Sequence, residues 1–295
     1  MNIFFTKTTN SNGRPLSVAC NWFSDFCGFT EDIEKADCVI ICTEGYVSSK
    51  QWFIEKKRFP GKELFLYSES DYPNLAIRGF YPSIYKKTRG CVSIPYLIQS
   101  HPLPDSSRIK KPNECTTKIS FKGRCETHNV RMLLESKYLQ FVNDTKKIIK
   151  NHPIGKNLNH CGYCDLLSNT IYILCPRGFG ASSYRLYESM SWGCIPVIIS
   201  DQFNKPEVFE DWSNFSISIK ESDINKTIDG YAFHCEEMIY NSRRVWERCF
   251  SSTGLWAYIQ YEISNLLKFP EFNNKENLIN RLDKFHFGAW SREIF

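Results

Sequence analysis

The stretch TIYILCPRGFGASSYRLYESMSWGCIPVIIS, residues 170–200, decides the fold. It opens with a continuous apolar run, Ile171 to Cys175, and passes through a glycine-rich loop into an amphipathic segment from about Ser182 to Trp192. A second apolar run, Ile195 to Ser200, closes it. Unbroken apolar runs suit strands buried on both faces of a parallel sheet, and a strand, helix, strand unit of this length predicts a right-handed βαβ crossover. The loop Gly178-Phe179-Gly180-Ala181-Ser182-Ser183 sits where small residues let backbone N–H groups approach an anion at the positive helix N-terminus. Ser182 or Ser183 is the expected N-cap, and Arg177 and Arg185 bring charge-assisted donors to the same place. Glu188 follows Arg185 on the same helix face, one turn deeper, where a carboxylate can accept hydrogen bonds from two ribose hydroxyls. The loop carries neither GxGxxG nor a Walker lysine, so these residues alone leave a nucleotide seat and a tight packing turn both open.

Working outward, the first third alternates apolar, β-rich runs with polar or amphipathic stretches: MNIFF, ADCVIICT (Ala36 to Thr43), KELFLYSES (Lys62 to Ser70) and GCVSIPY (Gly90 to Tyr96). This predicts a small Rossmann-like domain with buried parallel strands. The segment HPLPDSSRIKKPNEC, His101 to Cys115, reads as a linker because it gathers three prolines with polar and basic residues. The pattern restarts with KISFKGR (Lys118 to Arg124), a strand running into a glycine turn, and a helical stretch from about Asn129 to Lys150. Helical patterns fill Tyr231 to about Lys268, and a last amphipathic piece runs from Asn277 to Phe287.

A chain of 295 residues has room for two compact α/β domains. Its 42% apolar and 15% aromatic content are those of a folded enzyme-like protein, and the +5 formal charge hints at acidic ligands such as phosphates without the dense Lys/Arg runs of a nucleic-acid binder. No apolar run approaches the roughly 20 residues of a membrane span. The thirteen cysteines are odd in number and MNIFFTKTTN lacks the form of a signal peptide, so the thiols are read as reduced and the chain as soluble and cytoplasmic. Cys161 and Cys164 form a CxxC, and Cys38 and Cys42 lie four apart, but no second CxxC follows. Buried thiols behaving as small hydrophobes are favoured over a zinc site.

The order CPRG, short loop, S-x-R-x-x-E and GCIPV, with EDWSNFSISIKESDI behind it and FKGR (Phe121 to Arg124) plus Arg131 ahead of it, resembles the signature of the exostosin-like glycosyltransferases, family 47-like. The resemblance covers roughly residues 118 to 230 and implies a GT-B fold, two Rossmann-like domains with parallel sheets facing across a cleft. It implies residues 1–108 as an acceptor-binding domain, 109–272 as a nucleotide-sugar-binding domain, and 273–295 as a C-terminal helix packing back on the first. Transfer would invert the anomeric carbon. Carried over, Arg177, Gly180, Ser182, Ser183 and Arg185 would line the diphosphate, Glu188 would bind the ribose, and Lys122, Gly123, Arg124 and Arg131 would lie across the cleft from the leaving phosphate. Electrostatic stabilisation by these groups would take the place of a metal ion, so no cofactor is expected. The donor implied is a UDP-sugar, with UDP-xylose favoured, and the acceptor a glycan or glycoprotein. Familiar animal and plant members carry a membrane anchor, and none is expected here; a stand-alone transferase of a microbe or a large virus, working in the host cytoplasm in the viral case, is the expectation.

An inverting transfer needs a base near the acceptor hydroxyl. In SESDYP, Glu69 and Asp71 follow the strand Leu64 to Tyr67 at a C-terminal strand end, where ligands of α/β sheets collect. Asp71 leads, Glu69 is second, and Asp37, Glu44 and His101 remain further candidates. Trp22, Trp52, Tyr72 and Tyr81 could stack on an acceptor sugar. Two other readings stay open: a non-catalytic nucleotide- or carbohydrate-binding module, and a metal-dependent GT-A transferase in which Glu69 and Asp71 hold the ion.

Overall fold

The computed structural model describes residues 1–9, 11, 13–85, 89–97, 104, 111–137, 162–224 and 235–268. The chain divides into two compact units, Met1–Leu97 with Trp256–Phe295, and Ile98–Leu255. Both are α/β, and each is built on a parallel sheet of the Rossmann type, as a GT-B fold requires of its two domains.

The first unit holds β1 (Ile3–Lys7), β2 (Phe29–Thr30), β3 (Cys38–Thr43), β4 (Glu63–Ser68), β5 (Gly79–Tyr81) and β6 (Cys91–Ser93), in the order β2-β1-β3-β4-β5-β6 with every pair parallel. All six residues of β3 are buried, as a strand covered on both faces requires. Helix α1 (Arg14–Phe23) carries Pro15 in its first turn, where the missing N–H costs nothing, and turns Ala19 and Phe23 inward. Helix α2 (Ser49–Arg58) is capped by Ser48, whose hydroxyl accepts from the Gln51 N–H at 3.2 Å, and ends in Lys56, Lys57 and Arg58, which suit its negative C-terminus.

The second unit holds β7 (Thr117–Ser120), β8 (Thr170–Pro176), β9 (Ile195–Ile199) and β10 (Ile217–Ile219), again all parallel, in the order β10-β9-β8-β7. Around it lie α3 (Asn129–Lys137), α4 (Gly162–Ser168), α5 (Tyr184–Ser191) and α6 (Cys235–Val245). A core of Phe121, Leu134, Tyr172, Leu174, Val197 and Ile219 fills the sheet's face. The crossover read from residues 170–200 is β8-α5-β9, its two strands direct neighbours. After α6 the backbone widens into a π turn, Trp246–Phe250, which sets Phe250 edge-on to Tyr187 of α5 at 5.1 Å.

The last described helix, α7 (Ser252–Leu266), crosses the unit boundary. From Trp256 onward it belongs with the first sheet. The Trp256 ring lies 5.2 Å from Phe23 and 6.1 Å from Phe5, and its indole N–H donates to the Cys27 carbonyl at 3.1 Å. The helix expected over residues 138–150, most of the linker and the terminal piece at 273–295 lie outside the described residues, as does Cys161 of the CxxC. The short strands β2, β5 and β10 lie outside the apolar runs of the sequence.

Among the described residues no helix is long and apolar enough to cross a membrane, and no group of three or more His, Cys, Asp or Glu side chains is arranged to hold a metal. Burial pushes the Cys38 and Cys175 thiols up to about 12, so both stay protonated and act as small apolar groups.

Candidate functional site

The end of β8 hands the chain to a loop, Arg177 to Ser183, that is held from beneath by two buried arginines. Arg131 of α3 donates from Nε to the Arg177 carbonyl at 2.8 Å, from Nη2 to the Pro176 carbonyl at 3.1 Å and from Nη1 to the Arg124 carbonyl at 3.2 Å. Arg177, 5% exposed, donates to the carbonyls of Gly178 and Phe179 and to Gln202 Oε1, with Glu221 at 3.9 Å. Guanidinium groups that donate to several main-chain carbonyls in this way fix backbone. Both residues therefore brace the loop backbone. A Cβ at Gly178 would sit 3.1 Å from Arg131 Nη2, so the glycine lets the arginine come close.

At the loop's far end Ser183 is the residue that starts α5, in extended conformation, but its hydroxyl makes no capping bond. The Ser183 Oγ is buried and finds no hydrogen-bond partner among the described residues. Ser182 and Gly180 are buried beside it, and Ala181 is pinned by the Ser200 hydroxyl at 2.8 Å. A buried hydroxyl left without a partner costs about 1–3 kcal/mol. At a helix N-terminus it is a ready donor for an anion.

Arg185, in the first turn of α5, lies over the Phe121 ring at 5.1 Å and donates through Nε to the Lys122 carbonyl. Gly123 is what permits this, because a Cβ there would overlap the Arg185 guanidinium. Lys122 stands half-buried, its ammonium 5.9 Å from the centre of the Tyr163 ring, and Arg124 is exposed. The FKGR turn and the start of α5 thus converge, and four of the residues read from sequence, Lys122, Gly123, Ser183 and Arg185, share one place.

Glu188 lies one turn along α5 and is buried at 6% exposure. Its Oε2 accepts from the Tyr163 hydroxyl at 2.9 Å. Burial holds the Glu188 carboxyl above the usual range, while the Arg185 charge and the Tyr163 bond pull it back. Burial also pushes the Tyr163 phenol well up, which keeps it the donor of the pair. Tyr163 carried no sequence signal for this role, since 25 residues separate it from Glu188 and only α4 brings it in. The exposed rings of Phe179 and Tyr184, at 53% and 42%, lie within the loop and at the start of α5 and likewise carry no sequence signal for a role.

In the first unit the acid candidates separate. Glu69 follows β4, half-buried; its Oε1 accepts from the Tyr67 hydroxyl at 2.9 Å and the Leu97 N–H at 3.4 Å. Burial raises its pKa, opposed by those two bonds and by Arg14, with the Glu44 charge adding to the rise. Asp71 is exposed, 3.5 Å from the Tyr96 hydroxyl. Asp37 precedes β3, at the end of the sheet away from strand C-termini, where it accepts from the Asn2 N–H at 2.6 Å. That removes it from the candidates. His101 lies outside the described residues. Trp52 and Tyr81, at 3% and 0% exposure, are core residues and cannot stack on a sugar, while Trp22 is half-buried and Tyr72 exposed.

The family profile described as the Exostosin GT47 domain matches residues 45–229, more than half of the chain. A probable glucuronoxylan glucuronosyltransferase of Arabidopsis thaliana is 36% identical over 69 residues, 23% of this chain and 15% of that protein. The Exostosin-1 homolog of Caenorhabditis elegans is 39% identical over 62 residues, 21% of this chain and 16% of that protein. Exostosin-1 of Drosophila melanogaster is 30% identical over 122 residues, 40% of this chain and 16% of its own. The matched part of this chain therefore spans less than a fifth of each relative's length.

Proposed function

The chain belongs to the exostosin GT47 family of glycosyltransferases, and from that premise we propose that it moves a sugar from a UDP-sugar to a hydroxyl of a glycan, with inversion and without a metal ion. The acceptor oxygen attacks the anomeric carbon, the bond from that carbon to the diphosphate oxygen breaks, and UDP departs with the electron pair. The acceptor proton passes to Glu69.

The observation that carries this reading is the start of α5, which brings together in one helical turn a buried Ser183 hydroxyl without a partner among the described residues and Arg185, with Glu188 held by Tyr163 one turn on. Arg185, Lys122, Ser183 and the helix N-terminus would offset the charge that develops on the departing diphosphate, the task a divalent cation performs in other transferases. Glu188 would accept from the ribose hydroxyls. Glu69 is preferred over Asp71 because burial moves its pKa toward neutrality, where a general base works best, and because it is fixed by two hydrogen bonds.

Relatives named as glucuronosyltransferases make UDP-glucuronate the natural counterpart to UDP-xylose in a donor panel. The test is release of UDP and appearance of a glycosylated product, followed by mass spectrometry, with UDP-xylose and UDP-glucuronate offered against a mixture of oligosaccharides. Turnover that Glu69→Gln abolishes while leaving UDP affinity intact supports the assignment. Turnover retained by Glu69→Gln and lost in Asp71→Asn transfers the base to Asp71. UDP bound without turnover of any donor favours a non-catalytic module.

A further inference from the structure

In the second unit, the segment between β9 and β10 meets an exposed face of α6 in a ladder of rings and guanidiniums. Tyr240, Arg244 and Arg248 follow one another at four-residue intervals along α6 and the π turn. The Arg244 guanidinium lies 5.6 Å from the centre of the Tyr240 ring and 5.4 Å from that of Phe209. Arg248 lies over the same Phe209 ring, also at 5.4 Å. Tyr240 and Phe209 are 65% and 51% exposed, and Arg248 is exposed with them. Two like charges gathered on one ring call for anions. Glu210 supplies one by pairing with Arg244, and Glu247 is taken by Arg243 at 2.6 Å. Arg248 has no carboxylate partner among the described residues.

The ladder is also fixed. The Trp212 indole N–H donates to the Pro206 carbonyl at 3.0 Å and the Ser213 N–H to Asp211 Oδ1 at 2.8 Å, which closes the segment carrying Phe209 on itself. Asn241 of α6 donates through Nδ2 to the Asn214 carbonyl at 3.3 Å and ties that segment to the helix. Rings and planar guanidiniums held in this way lose little freedom when a partner arrives.

We propose that this ladder docks an acidic polypeptide segment, one of whose carboxylates pairs with Arg248 while apolar side chains lie on Phe209 and Tyr240. Guanidiniums only donate, and Glu210 is already engaged by Arg244 and by Asn214 Nδ2, the latter at 2.6 Å. The ladder therefore suits a ligand rich in acceptors rather than the hydroxyls of a sugar, which must donate as well. Tyrosine, phenylalanine and arginine, without lysine, are the side chains that dominate the centres of protein interfaces. Glu236 and Glu237 stand in the first turn of α6, so the positive end of the ladder is at Arg248. The proposal is independent of the transferase reading, because none of its four residues is assigned to the donor site or to the base.

Fluorescence anisotropy on the full chain tests this, with a short labelled peptide of alternating glutamate and leucine, its glutamine-for-glutamate counterpart and a labelled oligogalacturonate. The glutamate peptide should bind at low salt, more tightly than either of the others, and weaken as salt rises. Arg248→Ala and Phe209→Ala should each weaken it about tenfold, and Arg248→Lys should recover only part of the loss, because an ammonium lacks the planar fork. Circular dichroism confirms that the variants are folded, and UDP affinity should be unchanged in Arg248→Ala. No binding of the glutamate peptide, equal binding of the glutamine peptide, preference for the oligogalacturonate, or full binding by Arg248→Ala overturns the proposal. So does loss of UDP affinity in Arg248→Ala, which would place the arginine in the donor site. Sedimentation supplies the last arm: a dimer that Arg248→Ala dissociates assigns the ladder to a second copy of the chain and overturns the proposal as well.

Discussion

The Tyr163 hydroxyl donates to Glu188 Oε2 at 2.9 Å inside the second unit, linking α4 to α5 beneath the glycine-rich loop. A carboxylate buried to this depth is costly unless it is paired and hydrogen-bonded, and here one tyrosine and the charge of Arg185 carry that role. The arrangement holds the Glu188 side chain in one orientation before any ligand arrives.

Tyr163→Phe removes one hydrogen bond to a charged group, worth about 1.5 to 3 kcal/mol. Both thermal stability and UDP affinity should fall, the second by about tenfold or more. Scanning calorimetry and UDP titration of the variant check this, and unchanged UDP affinity would free Glu188 of its assigned role.

The raised Glu188 pKa makes a pH-dependent prediction. A carboxyl whose folded pKa exceeds its unfolded value binds more protons folded than unfolded between the two. Its contribution to stability is therefore most favourable at low pH, falls as pH rises above about 4.3, and levels off beyond the folded value. Glu188→Gln removes that loss, so in the absence of ligand its melting temperature should exceed the parent's near neutrality and the advantage should shrink as pH falls toward 4. UDP affinity should drop at the same time. A melting-temperature difference that is constant across this range would contradict the assignment.

Gly123→Ala places a methyl group against the Arg185 guanidinium. The guanidinium is the far end of a flexible side chain, so it should move and leave the fold intact. The expected result is a near-parental melting temperature with UDP binding weakened about tenfold, the loss of one well-placed charged donor. A variant that unfolds instead would show that the contact is structural.

In the first unit, Glu55 is fully buried and bonded to Thr9, Gln51 and Arg58. Glu55→Ala should destabilise by about 2 to 4 kcal/mol, toward the lower end for a broken buried pair because Arg58 is a third exposed and can turn to water. Chemical denaturation measures it, and a change under about 0.5 kcal/mol, the usual surface range, would contradict the burial.

Particular residues explain what the sequence reveals and what it conceals. The strands β3, β4, β8 and β9 are legible because parallel strands covered on both faces need unbroken apolar runs. The strands β2, β5 and β10 span two or three residues each, too few to show any period. The loop and α5 are legible from glycines, serines and the Arg185 to Glu188 spacing. The carbonyl contacts of Arg131 and Arg177 are not, because only the fold brings those carbonyls to them. Glu55 reads as a solvated acid in IEKKR and proves to be buried, since only the fold brings Thr9 and Gln51 to it.

The most direct test of the central claim is calorimetric titration of the full chain with UDP, first in EDTA and again with Mn²⁺. The account predicts a Kd on the order of micromolar that survives EDTA and is lost in Arg185→Ala. Binding that appears only with Mn²⁺, or that Arg185→Ala leaves unchanged, would contradict it.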